Sequence, residues 1–284
     1  MNYKIFMCCH KPPEFTPPLC TAIQCGSALN SKLPDVVYDD EGCNNISEKN
    51  REYCELTAHY YAWKNIDADY YGFCHYRRFF LFDDTIKKPY LAVDALRDKE
   101  KKFLGNELEL ERVFKDHDII APRSEDMGIT VREHYCTSDH HYTEDMELFL
   151  KIIAERVPLL SEAAAAYLAQ NRQYFCNMFI MDKACFFEYC EILFPVLGEF
   201  DRRKTPHGDF QSDRTDGYLG EVFTGIYINY ARKKGARIKE LPRLDINCDM
   251  KKRVLYTMLP PESKLRFTAK RLAKTVKRKS SALK

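Results

Sequence analysis

Short apolar runs alternate along this chain with longer stretches whose apolar residues recur at the helical period, and that alternation restricts the fold more than any other feature. Lys4 to Cys9 (Lys-Ile-Phe-Met-Cys-Cys) reads as a first buried strand, closed by His10-Lys11-Pro12-Pro13 because proline gives no donor to a ladder. Asn50 can cap a helix from Arg51 to about Ile66, in which Tyr53, Leu56, Tyr60 and Trp63 recur at spacings of three and four. Tyr70 to Cys74 is the next strand, and Phe79 to Phe82 continues it after a kink. Further strands are expected at Asp118 to Ala121, stopped by Pro122, at Tyr174 to Met181 with Asn177 inside it, and at Arg237 to Leu241. Helices are expected at Glu144 to Glu155, Ser161 to Ala169, Lys183 to about Phe200 with a break near Pro195, and Asp216 to Lys233. Strands alternating with helices give an α/β sheet with helices on both faces.

The 284 residues suffice for one large domain or two small ones, and 45% hydrophobic content can bury a proper core. No window approaches the roughly 18 to 20 apolar residues of a membrane helix, and Met1 to Cys9 does not read as a signal peptide. The 12 cysteines lack C-x-x-C spacing, so free thiols in a reducing cytosol are expected. The net charge of +2 hides an asymmetry: residues 251–284 carry 12 Lys+Arg against Glu262, a net of +11, which leaves −9 on the rest. An acidic body argues against a nucleic-acid target, and the basic tail is suited to anionic lipid.

The segment Ala68 to Phe80 starts as an apolar strand and breaks into His75-Tyr76-Arg77-Arg78 where the strand should end. Two arginines and a histidine beside buried aromatics are costly unless an anion or a carboxylate meets them. Ligands of α/β proteins sit at the carboxyl ends of strands. The segment is therefore either a cationic site suited to phosphates or a structural ion pair. On a period-two strand His75 and Arg77 share one face and Arg78 takes the other, so His75 with Arg77 is the expected pocket pair and Arg78 is expected to meet an acid.

Other polar groups stand out. Asp39-Asp40-Glu41-Gly42 and Asn44-Asn45-Ile46-Ser47 lie before a helix and can hold a nucleotide base or ribose, or simply form a turn and cap. Asp67-Ala68-Asp69 is a literal Asp-x-Asp, but it precedes its strand and belongs at the wrong sheet edge for a metal; Asp83-Asp84 can reach a cation. His134-Tyr135, His140-His141-Tyr142 and Asp145 can shuttle protons or be plain polar surface. Arg214 to Glu221, preceded by Asp209 and Asp213, puts Glu221 about one turn into a helix, as a dipole partner, a general base or a holder of sugar hydroxyls.

Asn45-Ile46-Ser47-Glu48-Lys49-Asn50, Tyr53-Cys54-Glu55-Leu56-Thr57, Trp63-Lys64-Asn65 and Tyr71 to Arg78 follow in that order. Together they resemble a bacterial family first catalogued as a domain of unknown function, found in capsular-polysaccharide, exopolysaccharide and O-antigen gene clusters and regarded as glycosyltransferase-like. Tyr135 with His140 or His141, Asn177 to Met181, and Gly217-Tyr218 with Glu221 extend the resemblance over roughly residues 3 to 245. It implies a single GT-A-like (Rossmann-like) α/β domain over residues 1–250, with a central mixed sheet flanked by helices, and a basic helical tail over 251–284. In that fold a central strand normally ends in an Asp-x-Asp that binds a divalent metal. Here His75-Tyr76-Arg77 holds that place, which implies a cationic phosphate clamp and no required cofactor, with a metal such as Mn or Mg as the alternative.

The activity so implied is transfer of a hexose, galactose or galactofuranose among them, from a nucleoside diphosphate sugar to a hydroxyl of a lipid-linked glycan. A UDP-sugar is the first donor to consider. The alternative is a non-catalytic binder of sugar nucleotides or glycans in a membrane-associated assembly. On the transferase reading Asp39, Asn45 and Ser47 contact the nucleotide, His75, Arg77 and Arg78 the diphosphate, and Asn177 the donor sugar. Asp209, Asp213 or Glu221 takes the acceptor proton, and His140, His141 and Arg214 line the acceptor side. Leu265, Phe267, Leu272 and Val276, set among lysines and arginines, let the tail lie on an anionic membrane. The expected location is cytoplasmic, peripheral at the inner face of the membrane.

Overall fold

The computed structural model describes residues 1–209 and 211–246; the expected basic helix over 251–284 lies outside the described residues. The sheet grows from β1 (Tyr3–Cys9). Phe6 and Cys8 of this strand are buried on one face of the sheet, and Ile5 and Met7 on the other, the signature of a central strand. β2 (Cys20–Gln24) and β3 (Val37–Tyr38) extend it in parallel. Two short helices, α1 (Asn50–Tyr53) and α2 (Leu56–Asn65), lead into β4 (Tyr70–His75), which joins β1 in parallel on its other side. β5 (Arg78–Phe80) folds back on β4, and β6 (Tyr90–Val93), α3 (Asp98–Lys101) and α4 (Glu107–Phe114) follow. Next come β7 (Ile119–Pro122), β8 (Glu125–Asp126), α5 (Val131–Thr137), α6 (Thr143–Arg156), α7 (Ser161–Ala169) and β9 (Arg172–Gln173). β10 (Phe179–Asp182), α8 (Lys183–Arg203), α9 (Thr215–Lys233), β11 (Ile238–Leu241) and β12 (Arg243–Ile246) complete the described chain.

The main sheet runs β3-β2-β1-β4-β10-β7-β11, and β10 alone is antiparallel to its neighbours on that path. β12 pairs with β5 and β6 beside it. One face is covered by aromatic and aliphatic side chains of α2 and α6 to α9, among them Leu56, Phe149, Tyr167, Phe186 and Phe223. The other is covered by Phe79, Phe80, Leu110, Phe114 and Leu244. The result is an α/β sheet flanked by helices, as the alternation of segments implied, with the mixed strand directions that the resemblance implied. Among the described residues no helix is long and apolar enough to cross a membrane.

Four local expectations need correction. The helix over Arg51 to Ile66 is broken, because Cys54 takes a left-handed conformation (φ 52°) between α1 and α2. The strand over Tyr174 to Met181 is confined to β10, because Cys176 (φ 81°) and Asn177 (φ 46°) are left-handed and cannot join a ladder. α8 runs unbroken through Pro195, held by the burial of Phe194, Val196 and Leu197 around it. Phe79 and Phe80 do not prolong β4; they sit on a strand that reverses after a turn.

α9 approaches its neighbours closely through glycines. A Cβ on Gly220 would lie 2.6 Å from Leu56, and one on Gly225 would lie 2.0 Å from the ring of buried Tyr167. Rigid ring and rigid helix leave that overlap nowhere to go. Gly225→Ala should therefore cost about 3 kcal/mol by overpacking, against the small gain alanine gives an exposed helix. Equilibrium urea unfolding checks this; a gain in stability would mean α7 can move aside.

Candidate functional site

The carboxyl ends of β1, β2 and β4 and the amino end of β10 share one edge of the sheet. His10 follows β1 there, and His75 closes β4. Since the strand ends at His75, Tyr76 and Arg77 form the turn of a hairpin and Arg78 pairs directly opposite His75. The period-two argument that put Arg78 on the far face therefore fails, and both arginines act on the same imidazole. Burial, then Arg78, Arg77, His10 and Arg214, push the His75 ring down to about 2, so it is neutral. Its Nδ1 accepts the Arg77 N–H at 3.3 Å. His10 is lowered by burial, then by Arg77, Lys11 and Arg214.

The cations of this edge are poorly balanced. Among the described residues the Arg77 side chain makes no hydrogen bond or ion pair; it lies over the Tyr76 ring at 4.9 Å. Arg214 gives its Nε–H to Cys54 Sγ at 3.2 Å and rests over Tyr218, with no carboxylate partner within the described residues. Arg78 alone meets an acid, Asp245 at 3.7 Å, which Arg243 also grips at 3.0 Å. Half-buried positive charge without an ion-pair partner favours an anion in the space it faces.

Acids and acceptors stand next to it. Glu221 accepts the Cys176 N–H, and burial pushes its carboxyl up to about 7, with Arg78 and Arg243 opposing and Glu55 adding to the rise. Glu221 and the Asn177 Nδ2 bond to Gly217 O (3.2 Å) together pin the left-handed 176–177 turn against α9. Asn177 is 4% exposed and its Oδ1 is buried without a partner. Glu55, partly buried, makes no side-chain hydrogen bond or ion pair among the described residues, and its charge is felt by Cys8, Cys25, Cys54 and Arg214. Glu55 stands in the motif of residues 53–57 without a role legible from sequence, because the left-handed Cys54 before it is not visible in a helical pattern.

The polar loop is built differently from its expected use. Asp39 is fully buried and accepts from Gly26 N (2.8 Å), Ser27 N (3.0 Å), Ser27 Oγ (2.8 Å) and Ser47 Oγ (2.6 Å). Ser47 is fully buried too, and Asn45 bonds Asp40 O, Gly42 O and Ser47 N. Asp39 and Ser47 tie the end of β2 to the α1 approach and have no surface to offer a ligand. On the opposite side, His141 is stacked between Tyr135 (4.5 Å) and Tyr218 (4.3 Å), contiguous with Arg214. His140 faces Asp209 at 4.0 Å, and Asp213 closes its loop by accepting His207 N at 3.0 Å.

Among the described residues, no group of three metal-ligating side chains gathers at the cationic end of β4. Asp67 is paired with Lys183 (2.6 Å) and Asp84 with Lys239 (2.8 Å), while Asp69 and Asp83 accept backbone N–H groups of Asn2 and Thr85. Glu52, Asp201 and Asp216 do bring three carboxylate oxygens within 4.8 Å of one another, a possible metal-binding triad by geometry. The Lys204 ammonium already stands among them, 2.8 Å from Asp201 and 3.9 Å from Glu52. A divalent ion there would have to displace a buried lysine.

No curated protein matches the chain. Among solved structures, the apo form of WbbM, a bifunctional glycosyltransferase, matches with a TM-score of 0.81 and 29% identity, over 87% of this chain and 46% of that one. The chain thus spans under half the length of that structure. The model of the domain of unknown function DUF4422 matches residues 4–233, and the chain belongs to that family, the glycosyltransferase-like one its motifs resemble.

Proposed function

We propose that the chain is a glycosyltransferase domain that takes a hexose from a nucleoside diphosphate sugar, a UDP-sugar first, and passes it to a hydroxyl of a glycan. The observation that carries this is the cationic surplus at the end of β4, where Arg77 and Arg214 lack a carboxylate beside a neutral His75. A diphosphate supplies the missing charge, and arginine forks match its oxygens. The same cations stabilise the diphosphate as the bond from the sugar's anomeric carbon to its oxygen breaks. The acceptor oxygen forms the new bond to that carbon, and its proton passes to a carboxylate. Of Asp209, Asp213 and Glu221, we assign that role to Glu221, whose carboxyl burial raises to about 7, since Asp213 accepts two backbone N–H groups of its own loop and Asp209 lies outside with His140. His141, with the Tyr218 ring packed on it beside Arg214, is assigned to the acceptor side. The proposal extends to a lipid-linked acceptor in capsule, exopolysaccharide or O-antigen synthesis, met at an anionic membrane surface by residues 251–284.

The assignment of Glu221 has a pH signature. Its carboxyl rises from 4.5 to about 7 in the fold, so it ionises near neutrality and turnover should climb along a limb centred near pH 7. Glu221→Gln should erase that limb and lower turnover by about 10²-fold or more. A surviving limb in Glu221→Gln would place the base elsewhere. The stability linkage has the opposite sense. A carboxyl raised by folding stabilises fully below about 4.5, and that contribution is lost as pH rises through about 7.

A further inference from the structure

We propose that the space beside the diphosphate clamp is a subsite for a neutral sugar, and that it rejects sugars bearing a carboxylate, such as hexuronic acids. This rests on the diphosphate reading above. Three segments converge there: the Cys54–Glu55 junction, the 176–177 turn and the first turns of α9. Their contacts are direct. A Cβ on Gly217 would lie 2.8 Å from Cys54 Sγ, so helix and junction touch. Arg214 Nε reaches the same sulfur at 3.2 Å, Gly217 O accepts from Asn177 Nδ2 at 3.2 Å, and Glu221 accepts from Cys176 N.

What these contacts leave over is a set of hydrogen-bond acceptors. Asn177 Oδ1 is buried without a donor, in a side chain 4% exposed. Such an atom is unfavourable until a donor reaches it. Two consecutive left-handed residues hold that amide in place, so its position is imposed by the fold. The Glu55 carboxylate is a second acceptor with no hydrogen bond or ion pair among the described residues, and its charge bears on Glu221 and Arg214. Sugar hydroxyls are donors and satisfy both. A sugar carboxylate offers no donor and meets Glu55 as a like charge. The cations able to neutralise it, Arg77 and Arg214, are those the diphosphate engages. Exclusion by charge is a repulsive element of specificity and needs no extra contact with the preferred ligand.

Competition binding on the full chain tests this with UDP and GDP, then with UDP-glucose against UDP-glucuronic acid, UDP-galactose against UDP-galacturonic acid, and GDP-mannose against GDP-mannuronic acid. For whichever nucleoside diphosphate binds, the neutral sugar should bind about tenfold or more tighter than its uronate. Glu55→Gln keeps the shape and removes the charge, and should narrow that ratio to about threefold or less by strengthening the uronate. Equal binding of sugar and uronate by the wild type overturns the inference and leaves the diphosphate reading standing. So does a ratio unchanged in a Glu55→Gln protein that melts like the wild type. Failure of both diphosphates to bind overturns the diphosphate reading itself, and the sugar subsite falls with it.

Discussion

Arg77→Ala is expected to weaken nucleoside diphosphate binding by about a hundredfold and leave the melting temperature nearly unchanged. A charge-assisted hydrogen bond to a buried anion contributes about 1.5–3 kcal/mol, and a guanidinium fork can make two. The stability half of the expectation is the more telling. Arg77 makes no side-chain hydrogen bond or ion pair among the described residues, and its charge holds His10 and His75 toward their neutral forms. Removing it gives up only the contact with the Tyr76 ring and breaks no hydrogen bond or ion pair among the described residues. Arg77→Lys should fall between, keeping the charge and losing the fork. Turnover of the wild type should survive EDTA, since the proposed clamp is cationic and Lys204 stands in the acidic triad. Isothermal titration of UDP and GDP with a thermal melt on each variant checks all of this. Unaltered affinity in Arg77→Ala would move the diphosphate away from β4, and turnover abolished by EDTA would restore a metal.

Asp39→Ala should destabilise the protein by about 3–5 kcal/mol, because four donors lose one buried acceptor together. The two backbone donors, Gly26 N and Ser27 N, cannot turn to water. For a domain of this size that lowers the melting point by roughly 6–20 °C. Asp39→Asn should be much milder, since the amide oxygen can keep Oδ1's three partners, Ser27 N, Ser27 Oγ and Ser47 Oγ. If instead Asp39→Ala melts normally and binds nucleotide poorly, Asp39 contacts the ligand after all and the loop must open to admit it.

The contrast between these two residues shows what the sequence made legible. β1, β4, α6, α7 and α9 were readable because apolar runs and helical spacing are properties of neighbours along the chain. The cationic end of β4 was readable because His-Tyr-Arg-Arg contradicts the strand before it. Whether a carboxylate points inward or outward is decided by donors that fold to meet it. Those of Asp39 come from Gly26, Ser27 and Ser47, on both sides of it in sequence and far from it in pattern. The left-handed Cys54, Cys176 and Asn177 were invisible for a related reason, since tertiary packing and not residue type holds them there. With Cys54 hidden, Glu55 lost its direction, and with the hairpin after His75 hidden, Arg78 was put on the wrong face. β2 was missed because Cys-Thr-Ala-Ile-Gln is short and follows a proline-rich stretch.

β12 returns to the hairpin of β4 and β5, and its last residue, Ile246, donates its N–H to the carbonyl of Arg77 at 2.8 Å. β12 is therefore moored to the turn that carries the clamp. A reporter or fusion partner attached soon after Ile246 would tug on Arg77, whereas one attached ahead of β1 would hang from the opposite rim of the sheet.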